Sequence, residues 1–229
     1  SDNTSCADTI VDLCYKRLPK AYKFSPTEDI QVLSPQRKGE LGVIEINNKL
    51  QQVLNPKKNG IPEFKNGIYT FRLGDKVMQT RNNYDIEWKK GEESGTGIFN
   101  GDIGIIKMID KGSSTVMIDF EDRLCYYNFD MTNELELAYA ITVHKSQGSE
   151  FEAIILPIMN GFDKLYFRNL LYTAVTRAKK ILIIVGQKSR IEFMINNNIK
   201  MLRYTGLKEM LCDCVFNNDN EVDENEQAK

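Results

Sequence analysis

The sequence predicts an α/β protein: a parallel sheet with helices on both faces, interrupted by a small antiparallel β-barrel. Strand-sized apolar runs alternate with helical apolar stripes toward both ends of the 229-residue chain, the pattern of strand–helix–strand units. Between them, over residues 67–130, short β-rich runs are separated by Gly91, Gly95, Gly97, Gly101, Gly104 and Gly112. Short strands punctuated in this way suit a small barrel. At roughly 60 residues such a barrel folds with little margin.

Residues 29–34 (D-I-Q-V-L-S) read as a buried strand closed by Pro35. Leu41, Ile44, Leu50, Val53 and Leu54 then fall near helical spacing until Asn55-Pro56 stops the helix. In the middle block the strand candidates are 76–80, 103–110, 115–120 and 124–129. Strands follow at 136–142, 152–158 and 180–185. A helix over 164–178 lies between the last two, with Phe167, Leu170, Leu171, Ala174, Val175 and Ala178 as its apolar stripe. The expected organisation is residues 1–64 and 132–216 as two parts of one α/β domain, 65–131 as its insertion, and 217–229 as an acidic disordered tail.

Composition bounds the function. With 41% hydrophobic and 27% charged residues the chain is globular rather than disordered. No apolar run approaches the ~18–20 residues that span a bilayer, and the polar residues 1–8 do not resemble a signal peptide, so a cytoplasmic protein without membrane contact is expected. The five cysteines (Cys6, Cys14, Cys125, Cys212, Cys214) include no paired C-x-x-C units, so idle thiols are expected and no metal site. Five acids and one base give residues 219–229 a charge of −4; against −2 for the whole chain, this leaves +2 on residues 1–218. Any grip on nucleic acid must therefore be local.

The chemistry concentrates in residues 138–151, A-Y-A-I-T-V-H-K-S-Q-G-S-E-F. A strand runs into Thr142, His144, Lys145, Ser146 and Gln147, Gly148 lets the backbone turn, and Glu150 precedes the next strand. Hydroxyls, an imidazole and backbone amides at a strand end suit a phosphate-bearing ligand. Taken alone, His144 would be a structural hydrogen-bonder; its neighbours argue otherwise. Arg177, in L-L-Y-T-A-V-T-R-A-K-K, is either a cation favoured by a helix C-terminus or a guanidinium aimed at phosphate oxygens. Arg37, in S-P-Q-R-K-G-E-L-G, is either a solvated turn cation or a second phosphate ligand.

The order of these segments, with F-N-G-D-I-G at 99–104, resembles the RecD-like branch of superfamily-1 DNA helicases over most of residues 30–186. The resemblance implies a second RecA-like motor domain carrying an inserted SH3-like barrel. It implies Arg37 and Arg177 as γ-phosphate-sensing arginines, Gln147, Gly148 and Glu150 beside ATP, and Thr142, His144 and Ser146 along a single-stranded DNA track. ATP and Mg2+ are then the cofactors of the full-length protein, with none held tightly by this chain. The sequence departs from the family in having no G-x-x-x-x-G-K-[ST] phosphate loop and no Gly-Lys dipeptide. The expectation is a fragment whose partners are single-stranded DNA and the missing N-terminal motor domain, inactive by itself. The rival is a non-catalytic DNA- or protein-binding module that uses the barrel, a role for which a pair of phosphate-sensing arginines is unnecessary.

Overall fold

The computed structural model describes residues 3–159, 161, 163–198, 206 and 210. The expected tail at 217–229, with Cys212 and Cys214, lies outside the described residues. The chain opens with α1 (Asn3–Asp12), a π turn (Leu13–Arg17) and α2 (Leu18–Tyr22). Then come β1 (Ile30–Ser34), buried throughout, and α3 (Val43–Leu54). A hairpin of β2 (Glu63–Asn66) and β3 (Tyr69–Arg72) follows. Seven further strands build the insertion: β4 (Lys76–Gln79), β5 (Asn83–Lys90), β6 (Glu93–Ile98), β7 (Ile103–Asp110), β8 (Thr115–Phe120), β9 (Arg123–Asn128) and β10 (Leu135–Leu137). The chain returns through β11 (Ala140–Thr142), β12 (Phe151–Ile158), α4 (Arg168–Val175), β13 (Ala178–Gly186) and α5 (Lys188–Asn196).

β11, β1, β12 and β13 form, in that order, an all-parallel sheet. Successive side chains of a strand face opposite sides, and the core divides accordingly. Val32, Ala153 and Ile155 pack with Ile10 of α1 and Ile46 and Leu50 of α3. Leu33, Ile154 and Leu156 pack with Leu170 and Ala174 of α4 and Met194 of α5. Helices therefore cover both faces, as the sequence predicts.

The second sheet is antiparallel, in the order β10-β4-β7-β8-β9-β5-β6. Val116, Ile118 and Phe120 alternate along β8 as its buried face and join Val77, Ile98 and Ile106 in one core. Burying each such Ile or Phe contributes about 1.5–3 kcal/mol. That core is continuous with the α1/α3 side of the parallel sheet, so the small barrel is stabilised by the domain that carries it. Among the described residues no ladder joins β6 to β10, leaving the barrel open. Gly104 of β7 faces β8 so closely that a Cβ there would meet the Asp119 carbonyl oxygen at 2.6 Å and Phe120 Cδ1 at 2.8 Å. Backbone in a paired strand cannot step aside, so Gly104→Ala is expected to destabilise the fold by about 1–3 kcal/mol. Thermal denaturation reads this, and an unchanged midpoint would show that β7 and β8 do not pack as closely as described.

Two expected elements differ. The strand at 136–142 is two strands in two sheets: Glu136 pairs with Met78 in the antiparallel sheet, and Ile141 with Leu33 in the parallel one. Where the chain crosses, backbone bonds from Ala138 N–H to the Lys76 carbonyl (2.8 Å) and from Val32 N–H to the Tyr139 carbonyl (3.3 Å) are joined by buried side chains. Gln31 Nε2 donates to the carbonyls of Ala138 and Tyr139 at 3.0 and 3.1 Å, and Asn47 Nδ2 donates to those of Leu137 and Ala140 at 2.9 and 2.8 Å. The helix expected at 164–178 is shorter, because Phe151 N–H bonds to the carbonyl of Arg177 at 2.9 Å. That bond starts the β12–β13 ladder, so the helix must end before it.

Candidate functional site

The register of the parallel sheet places the motif residues. Thr142 is level with Ser34, Ala153 with Ile30, and Ala178 with Phe151. Phe151 thus lies six residues below Ser34, roughly 20 Å at ~3.3 Å per residue. Residues 143–150 descend that height. They begin with a 3-10 turn (Val143–Ser146) in which the Thr142 hydroxyl accepts the Lys145 N–H at 3.4 Å. Gly148, at φ +90°, supplies the reversal that L-residues adopt reluctantly. The loop therefore has two ends at opposite edges of the sheet, Thr142 and His144 toward the carboxyl edge and Gly148 and Glu150 toward the amino edge. His144, Gln147, Gly148 and Glu150 are exposed. Ser146 is not: it is 0% accessible, and its hydroxyl donates to the Val143 carbonyl at 2.7 Å. The expectation that Ser146 lines a DNA track is corrected on that ground.

At the amino edge Arg177 sits in the turn between α4 and β13. Its guanidinium donates to the carbonyls of Ser149 (3.3 Å) and Thr173 (3.2 Å) and to the Thr176 hydroxyl (3.2 Å). All three acceptors are neutral, and among the described residues no carboxylate pairs with it. A half-buried guanidinium that meets only neutral oxygens among the described residues suits an anion. Glu150 opens instead onto a cleft of about 650 Å³ against the antiparallel sheet. Glu28, Asp102 and Glu121 share its wall with Lys76 and Arg123, so its charge is mixed and it is no phosphate pocket by itself. Burial lowers the Lys76 ammonium to about 8.

At the carboxyl edge Arg37 leaves β1 and meets Glu136 of β10 at 2.5 Å, while Lys145 meets the other oxygen of the same carboxylate at 3.2 Å. Tyr69 lies alongside; burial first, then the Glu136 charge, pushes its phenol up to about 12. Arg37 and Arg177 therefore belong to different edges, and the expectation that both sense one phosphate is not met within this chain. The reason is topological: one follows a strand and the other precedes one in a sheet whose strands all run the same way. Glu136 and Tyr69 escaped the sequence reading. The only signal was a lone acid in the run L-E-L-A-Y-A-I.

Residues 46–120 match the family described as the ATP-dependent RecD-like DNA helicase SH3 domain, and residues 137–185 match the UvrD-like helicase C-terminal domain. The first takes in β2 to β8 and the second the whole run from Thr142 to Arg177. The chain belongs to the RecD-like superfamily-1 DNA helicases. It is 34% identical over 160 residues to the ATP-dependent RecD2 DNA helicase of Deinococcus radiodurans, covering 70% of this chain and 20% of that protein. An uncharacterised protein of Methanocaldococcus jannaschii is 35% identical over 191 residues, 74% of this chain and 16% of that one. The RecBCD enzyme subunit RecD of Mycolicibacterium smegmatis is 27% identical over 184 residues, 80% of this chain and 29% of that one. This RecD-like chain thus spans between 16% and 29% of the length of these relatives. Its two sheets are the RecA-like layer and the SH3-like insertion of the family. The F-N-G-D-I-G segment is a wired turn of that insertion: Gly101 N–H bonds to the Gln79 carbonyl at 2.9 Å, and Asp102 pairs with Arg123 at 3.0 Å. Among the described residues no helix is long and apolar enough to cross a membrane, and no acidic, histidine or cysteine group is arranged to hold a metal.

Proposed function

We propose that this chain is the C-terminal motor half of an ATP-dependent DNA helicase that moves along single-stranded DNA. The Arg177 guanidinium beside the Gly148–Glu150 turn, paired with no carboxylate among the described residues, carries the reading, because a fixed cation at a loop edge stabilises charge developing on a transferred phosphoryl group. ATP, with its Mg2+, would sit between this amino edge and an N-terminal motor domain of the same protein, with Gln147, Gly148 and Glu150 on the nucleotide side. Thr142 and His144, at the carboxyl edge, would face the strand, and Arg37 joins them rather than the nucleotide. The rival scaffold reading has no use for a guanidinium that meets no carboxylate among the described residues. The sequence holds no G-x-x-x-x-G-K-[ST] loop to cradle the phosphates, so the 229-residue chain alone is expected to hydrolyse no ATP. A DNA-stimulated ATPase that co-purifies with the chain and disappears in Arg177→Ala would overturn this. For the whole enzyme, the decisive assay is DNA-stimulated ATP turnover set beside single-strand affinity.

A further inference from the structure

Three charged groups meet at the carboxyl edge of the parallel sheet, from three different elements. Arg37 comes from the loop after β1, Lys145 from the turn after β11, and Glu136 from β10 of the inserted sheet. Each oxygen of the Glu136 carboxylate takes one cation, Oε1 the guanidinium and Oε2 the ammonium. The cluster is accessible from one side: the Arg37 side chain is 51% exposed, Lys145 26% and Glu136 14%. A phosphodiester presents the same pattern as a carboxylate, two terminal oxygens sharing one negative charge, and it suits the same two donors.

We propose that Glu136 competes with a nucleic-acid phosphate for Arg37 and Lys145, so that the inserted sheet holds down the strand affinity of the motor domain. The inference rests on the reading that this edge faces single-stranded DNA. Binding a strand then means exchanging one carboxylate for one phosphate on the same two cations, which releases Glu136 and with it the tie between β10 and the loops after β1 and β11. The near-neutral charge of the chain fits such a device: with only +2 on residues 1–218, two cations withheld or released are a large share of the available attraction.

The test is fluorescence anisotropy of a labelled oligothymidylate with the 229-residue chain across a salt series. Wild type is expected to bind weakly. Glu136→Gln frees both cations, and is expected to bind about tenfold tighter near 0.1 M salt, with the slope of log K against log salt steeper by roughly 0.7–1.4. Glu92→Gln, which removes an exposed acid from the β5–β6 turn, makes the same change in net charge and is expected to shift affinity less than twofold. Adding Lys145→Gln to Glu136→Gln should remove about half of the logarithmic gain. Equal gains in Glu136→Gln and Glu92→Gln, or no gain in either while wild type binds, overturn the inference and leave the DNA reading intact. No binding by wild type or variants overturns the DNA reading at this edge and the inference with it. Displacement of the oligomer by inorganic phosphate at matched phosphate concentration would assign the cations to a free anion instead, which also overturns it. If Glu136→Gln does not fold, Lys145→Gln alone carries the test: weaker binding with a slope shallower by roughly 0.7 is expected, and unchanged binding overturns the proposal.

Discussion

Arg177→Ala in the complete RecD-like protein is expected to lower ATP turnover by about 10³–10⁵ while leaving single-strand affinity within twofold, because an arginine of this kind acts on charge in the transition state. Arg177→Lys should recover little. The guanidinium reaches the Ser149 and Thr173 carbonyls and the Thr176 hydroxyl from one planar group, whereas an ammonium on a flexible stem satisfies them singly. His144→Ala should do the reverse, weakening strand affinity and DNA stimulation more than basal turnover, since His144 is exposed at the other edge of the sheet. If both residues served only the fold, both variants would show lower thermal midpoints and parallel losses of turnover and binding. Turnover, affinity and midpoint measured on the same variants separate these cases. Wild-type ATP turnover in Arg177→Ala would sink the nucleotide assignment of the amino edge.

Asn47→Ala is expected to cost about 3–5 kcal/mol of stability, because it strands three backbone groups in the interior and each unmade bond costs about 1–3 kcal/mol. Asn47 is 0% accessible. Its amide donates to the carbonyls of Leu137 and Ala140, and its Oδ1 accepts the Ala140 N–H at 2.8 Å. These bonds hold the point where the chain leaves the inserted sheet for the parallel one. A fall in the thermal midpoint of roughly 10 °C is the corresponding reading. Asn47→Asp should also destabilise, since it keeps an acceptor but removes both donations and buries a charge. A loss below about 1 kcal/mol in Asn47→Ala would mean that water reaches the crossing and satisfies it.

What could be read in the chain, and what could not, follows from how local each cause is. The buried strands at 30–34 and 151–158 and the glycine-punctuated insertion were legible because apolar runs and turn residues act over a few positions. β5 and β6 were not. Most of their side chains point outward, and Gly95, taken as turn punctuation, lies inside a strand, where a Cβ would come within 2.5 Å of the Trp88 ring. The run at 135–142 carries no punctuation at Ala138-Tyr139. Its division between two sheets depends on Gln31 and Asn47, which lie about a hundred positions away. Likewise, Ser146 sits in a loop rich in donors and yet points inward, because its hydroxyl serves the Val143 carbonyl.

By itself the sequence determined the α/β class and the presence of an antiparallel insertion, because side-chain period and turn residues are properties of short segments; it did not give the end of the inserted sheet, since β10 (Leu135–Leu137) lies past the expected boundary at 131. The tertiary structure alone decided which edge of the sheet each cation serves. Arg37 and Arg177 look alike as cations in turns, and only the parallel register, with Ser34 level with Thr142 and Phe151 level with Ala178, separates them. It also decided that Arg37 shares a carboxylate with Lys145 while Arg177 meets only neutral oxygens among the described residues. The register and the Arg37–Glu136 pair join residues far apart in the chain, and no short window of sequence contains both partners.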